Sequence, residues 1–112
     1  MTIDSRNDLF SACLHFRSIR NGQPSDSDVW EESIIIVHAD CEKSALDRAT
    51  DCGRQRVVYY TTQSGDRVVV DFVSVERVFK IDDSLAIDGA EVFSRHLRGS
   101  EIKSLGEPFP EA

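Results

Sequence analysis

The sequence lacks any apolar run approaching the ~20 residues that a membrane-spanning helix needs. Its first residues, Met1 to Asp8, are too polar for a signal peptide. It is also short of positive charge: Lys and Arg number 13 against 20 Asp and Glu, for a net charge of −7 and a pI near 4.8. Phosphate contacts need clustered Lys and Arg, so this balance argues against nucleic-acid and anionic-membrane partners. The acidic residues are spread along the chain, which reads as solubility. With 3 cysteines, an odd number, the chain does not resemble a secreted disulfide framework, and a reducing, cytoplasmic setting is expected. There is no C-x-x-C pair, G-x-S-x-G elbow, G-x-G-x-x-G or P-loop. Internal repeats and low-complexity tracts are absent as well.

What is present is enough for one core: 112 residues, 40% of them hydrophobic. The expected organisation is a flexible N-terminus (1–8), a single α+β domain (9–98) and an extended or disordered tail (99–112). Leu9 to Ile19 alternates, with Phe10, Ala12, Leu14 and Phe16 on one face and Ser11, Cys13, His15 and Arg17 on the other. This is the period-two pattern of a half-buried strand. "RNGQPSDSD" (20–28) has loop chemistry. Val29 to Ala39 reads as a second strand; its middle, Ile34-Ile35-Ile36-Val37, is apolar on both faces and predicts a central, doubly covered strand.

The period then changes. Asp40 suits a helix N-cap, Cys41, Ala45, Leu46, Ala49 and Cys52 follow helical spacing, and Gly53 suits the helix end. "RVVYYTT" (56–62) reads as a strand, and Gln63-Ser64-Gly65-Asp66 as a hairpin connection to a long strand, Arg67 to Ile81. A phase change near Val73 predicts a bulge or bend in that strand. Asp82-Asp83-Ser84 interrupts, Asp88-Gly89 is a turn signal, and Ala90 to Leu97 reads as a last strand. The predicted fold is α+β, with a mostly antiparallel, strongly bent five-stranded sheet and one helix packed on a face, in the order β-β-α-β-β-β. One helix of ~12 residues is ~18 Å long and covers only part of such a sheet. The surplus apolar face predicts either a sheet curled on itself or a second copy, hence a homodimer.

The chemistry-bearing residues mostly have structural explanations. His38, Asp40 and Cys41 are close in sequence, but strand alternation separates His38 from its neighbour, Asp40 has a capping role, and the thiols lack zinc-type spacing. No metal and no cofactor is therefore expected. Cys41, near a helix N-terminus, is a possible reactive thiol, with His38 as a potential base; its bland reading is packing. His15, on the polar parity of its strand, reads as a surface residue, and His96 follows Arg95 in the last strand. Glu31 and Glu32 point to opposite faces, with Glu32 sharing a face with Trp30. Glu76 and Glu91, with Arg77 and Arg95 as partners, read first as cross-strand ion pairs.

Several stretches taken together resemble the bacterial domain of unknown function 4288 family: Leu9-Phe10 with Ala12 to Phe16; "VWEESIIIVHAD" running into a short helix; "VDFVSVERVFKI"; and "DGAEVFSRHL". The matching residues are Trp30, Glu31, Glu32 and Ser33; Phe72, Val75, Val78 and Phe79; and Glu91, Val92, Phe93, Ser94 and Arg95. The resemblance covers about residues 9 to 97 and supplies no activity. It implies a stand-alone small domain, and it marks Trp30, Glu31, Glu32, Ser33, Glu91, Ser94 and Arg95 as candidate binding or interaction residues. Cys41 stands where the family more often has a small polar or acidic residue, which favours an inert thiol.

The leading expectation is a non-enzymatic protein-interaction module acting as a homodimer, with a possible further protein partner and no nucleic acid or membrane. The alternative is a small-molecule binder or hydrolase using Glu31 or Glu32 with Arg95 in a polar pocket on the sheet.

Overall fold

A computed structural model of the protein describes residues 8–81 and 88–109. The chain runs through β1 (Asp8–Arg20), β2 (Trp30–Ala39), α1 (Glu42–Gln55), β3 (Val58–Thr61), β4 (Arg67–Lys80) and α2 (Gly99–Leu105). The strands form one antiparallel sheet in the order β2-β1-β4-β3. The α+β class and antiparallel pairing agree with the sequence reading, but the sheet has four strands among the described residues, and the element order is β-β-α-β-β-α.

The predicted fifth strand is the main correction. Residues 90–98 have no regular secondary structure. They cross the sheet face away from α1: Phe93 meets Phe79 of β4 edge-on, with centroids 6.3 Å apart, and Arg95 reaches Glu32 of β2. Phe93 and Leu97 are half-buried while their neighbours are exposed. A segment lying on a sheet shows the same two-residue period as a strand within it, so periodicity alone could not separate the two.

A second correction concerns β2, which is an edge strand and not a central one. Its odd positions face the core: Val37 and Ala39 are buried and Ile35 is half-buried, while Trp30, Ile34 and Ile36 on the other parity stay about half exposed. The central positions belong to β1 and β4.

β1 supplies most of the core. Phe10, Ala12, Leu14 and Phe16 are buried together with Val37, Ala39 and the helix residues Ala45 and Ala49, and Phe72, Val75 and Val78 of β4 pack against them. Burial of side chains the size of Leu14 or Phe16 contributes about 1.5–3 kcal/mol each. Small residues let α1 lie close to the sheet. Gly53 is the extreme case: it sits inside the helix, not at its end, and a Cβ there would overlap the Phe72 ring. The helix cap is likewise displaced by one residue from the expected Asp40. Cys41 is the N-cap, its Sγ accepting the Ser44 N–H at 3.5 Å.

The β1–β4 ladder shifts register twice. Phe16 pairs with Phe72 and His15 with Ser74, leaving Val73 as an extra residue; Leu14 pairs with Val75 and Cys13 with Arg77, leaving Glu76 as a second. The phase change at Val73 is thus the first of two bulges, each of which bends the strand and re-aims a side chain. β3 and β4 form the expected hairpin, with Gly65 at φ 92° in the connection.

Asp8, expected in the flexible N-terminus, is the first residue of β1. The tail, expected to be extended or disordered, contains α2, whose residues are all exposed, including Ile102 and Leu105. The expected break at 82–84, the rest of the N-terminal segment and the last three residues lie outside the described residues.

Candidate functional site

The site follows from parity and register. On β1 the odd positions Cys13, His15 and Arg17 face away from α1. Antiparallel pairing places Ile34, Glu32 and Trp30 of β2 directly opposite them, and Arg77, Ser74 and Asp71 of β4 on the other side. Residues directly opposite on one face are in side-chain contact. The bulge at Glu76 adds one more carboxylate to the same face.

His15 is held between two carboxylates. Its Nε2 lies 2.8 Å from Glu32 Oε2 and its Nδ1 lies 3.0 Å from Glu76 Oε1. Arg95, brought over the sheet by residues 90–98, places Nη2 3.9 Å from Glu32 Oε1. Cys13 lies beneath, only 3% exposed. The Cys13 sulfur, a His15 ring nitrogen and a Glu32 oxygen all lie within 4.8 Å of one another.

The electrostatics follow from this packing. Burial pushes the Cys13 thiol up to about 11, and its hydrogen bond to Glu32 and the carboxylate charges push in the same direction against a smaller opposing effect of Arg95. Glu32 is held below the usual carboxylate range, chiefly by its hydrogen bond with His15, with Cys13 and Arg95 adding to the effect and partial burial opposing it. Beside the cluster, the Arg17 guanidinium lies 5.1 Å from the Trp30 ring centroid and pairs with Asp28 at 3.0 Å, so one face of the indole is stacked while about half of the residue remains exposed.

Of the residues singled out in the sequence, the structure brings Glu32 and Arg95 together, with Trp30 on the same face. Glu31 pairs with Phe16 on the α1 side and Ser33 with Leu14, so neither joins the cluster. Glu91 is exposed. Ser94 lines an open cleft of about 460 Å³ at the β4 edge, with Glu76, Phe79 and Leu46. Cys41 is exposed at the helix cap. Three residues of the cluster were not among the candidates: Cys13, His15, which reads from the sequence as a surface residue, and Glu76, which reads as a cross-strand ion-pair partner. The parity of Cys13 and His15 was visible, but the β1–β2 register that sets His15 opposite Glu32 was not, and neither was the bulge that turns Glu76 toward the imidazole.

A small α+β domain with a curled antiparallel sheet, one face under a helix and the other carrying a polar cluster, is the class these features define. The family model described as Domain of unknown function (DUF4288) matches residues 9–94, and the chain belongs to that family, in keeping with the motifs noted above. No curated protein and no solved structure matches it.

Proposed function

We propose that this domain acts as a non-enzymatic protein-interaction module that self-associates as a homodimer through β2. The observation that carries this reading is the row Trp30, Ile34 and Ile36, exposed by 49%, 47% and 53% on an edge strand with no strand beyond it among the described residues. Unpaired strand edges recruit another strand, and natural proteins usually blunt them with charge or proline. Positions 33–37 of β2 carry neither. A second copy of β2, antiparallel across a two-fold axis, would complete the backbone hydrogen bonds and set the isoleucines of the two copies side by side on one face. Three free thiols support a reducing, cytoplasmic setting as part of the same proposal. No helix among the described residues is long and apolar enough to cross a membrane.

Sedimentation equilibrium tests the reading. The wild-type chain is expected to dimerise at micromolar concentration, and an Ile36→Lys variant, altered at an exposed position, is expected to remain folded and monomeric. A wild-type chain that stays monomeric throughout that range would overturn it. The second reading, a small-molecule binder or hydrolase, retains its Glu32–Arg95 pair at 3.9 Å. Its Glu31 half faces the other side of the sheet.

A further inference from the structure

We propose that Cys13, His15 and Glu32 bind a zinc ion, with the fourth coordination position open. A thiol, an imidazole and a carboxylate are the three ligand types zinc takes, and the sulfur disfavours magnesium or calcium. The three come from adjacent positions of two paired strands, so the backbone ladder fixes their approach.

What stands behind the imidazole points the same way, independently of the donor set. A metal-bound histidine commonly donates its other ring N–H to a carboxylate, which fixes the tautomer and orients the ring. Glu76 takes that position, 3.0 Å from His15 Nδ1, and it does so only because of the β4 bulge. With Glu76 holding the proton on Nδ1, Nε2 can give up the hydrogen bond it makes to Glu32 in the metal-free protein and offer its lone pair to the ion. Arg95 then serves as the counterpart on the carboxylate: it faces Oε1 of Glu32 and leaves Oε2, the oxygen nearest His15, for the metal.

Geometry and charge are both compatible. Donors bound to zinc at about 2.0–2.3 Å stand roughly 3.3–3.7 Å apart around a tetrahedron. The His15 Nε2–Glu32 Oε2 distance of 2.8 Å must therefore open by under an ångström, and Glu32 is a half-exposed side chain on an edge strand, free to do so. A dication with one thiolate, two carboxylates and one guanidinium is neutral as a group, so the ion would remove the like-charge crowding between Cys13, Glu32 and Glu76. Entry is from the solvent side of His15 and Glu32, with Cys13 forming the floor. His38, Asp40 and Cys41, neighbours in sequence, do not form this set; the strand register assembles a different one and so runs against the expected absence of a metal.

Cobalt(II) titration of the metal-stripped full-length chain tests the proposal, because thiolate coordination gives a charge-transfer band in the near ultraviolet. The band is expected to saturate at one equivalent, to be displaced by Zn²⁺, and to persist in Cys41→Ser and Cys52→Ser. It is expected to disappear in Cys13→Ser. Since Cys13 is buried, the exposed position Glu32→Gln carries the test independently of folding, with affinity expected to fall at least tenfold. Glu76→Gln is expected to keep the band while lowering affinity by roughly 10–100-fold. Absence of the band in the wild-type chain, its survival in a folded Cys13→Ser variant, or unchanged affinity in Glu32→Gln would overturn the assignment.

Discussion

Cys13 and Cys41 show how differently one residue type behaves in two places of this chain. Cys41 is exposed at a helix cap, whereas Cys13 is buried beside two carboxylates, with its thiol raised to about 11. The thiolate is the reacting species, so access and charge act together. In the metal-free protein, iodoacetamide at mildly alkaline pH is expected to label Cys41 first and Cys13 last, read by peptide mass spectrometry. Early labelling of Cys13 would contradict both the burial and the electrostatics. Little of this was legible in the sequence. Parity placed Cys13 on the polar face of β1, and a polar face reads as solvent until something is known to cross it. Residues 90–98 cross it, and their path depends on the Phe79–Phe93 contact and the Glu32–Arg95 pair, both of which join residues distant in sequence.

At the scale of elements, α1 sits where it does because of one missing side chain. Gly53→Ala would gain up to about 1 kcal/mol of helix propensity. It would also force a methyl into the Phe72 ring, and overpacking costs typically about 1–3 kcal/mol. The ring is held edge-on against the buried Phe16, at a centroid distance of 5.8 Å, so it has little room to yield. The overpacking is expected to win, lowering the thermal midpoint by several degrees in a calorimetric scan. A midpoint that rises would show that helix and ring can separate freely. The β1 alternation, the small-residue stripe of α1 and the Val73 phase change all correspond to observed features, but the same period also predicted a strand over residues 90–97 that is absent, and nothing in it announced α2. The role of Gly53 was misread because a glycine near a helix end has two uses, a left-handed turn and a close approach, and only coordinates tell them apart. β2 was misplaced for a related reason. Four apolar residues in a row predict cover on both faces, whereas Ile34 and Ile36 stand half exposed on an edge strand.

For the whole molecule, the proposed dimer brings together two copies that each carry a net charge of −7. Apolar burial along β2 must then exceed a repulsion that salt screens over about 10 Å at 0.1 M. The thermal midpoint of the wild-type chain is accordingly expected to rise with protein concentration, as it does for a folded state coupled to association, and to rise more steeply at moderate salt than at low salt. A midpoint indifferent to concentration would leave β2 facing water in solution.

The extra residue at position 76 has a consequence for how such a site arises. Val75 already faces Leu14 and Arg77 already faces Cys13, so a β4 one residue shorter at this point keeps its neighbours on the same sides of the sheet. The lattice of paired strands can gain or lose this insertion without being rebuilt. A bare imidazole and one buttressed from behind are thus separated by a single codon, and a scaffold of this kind can switch between them while its architecture stays the same.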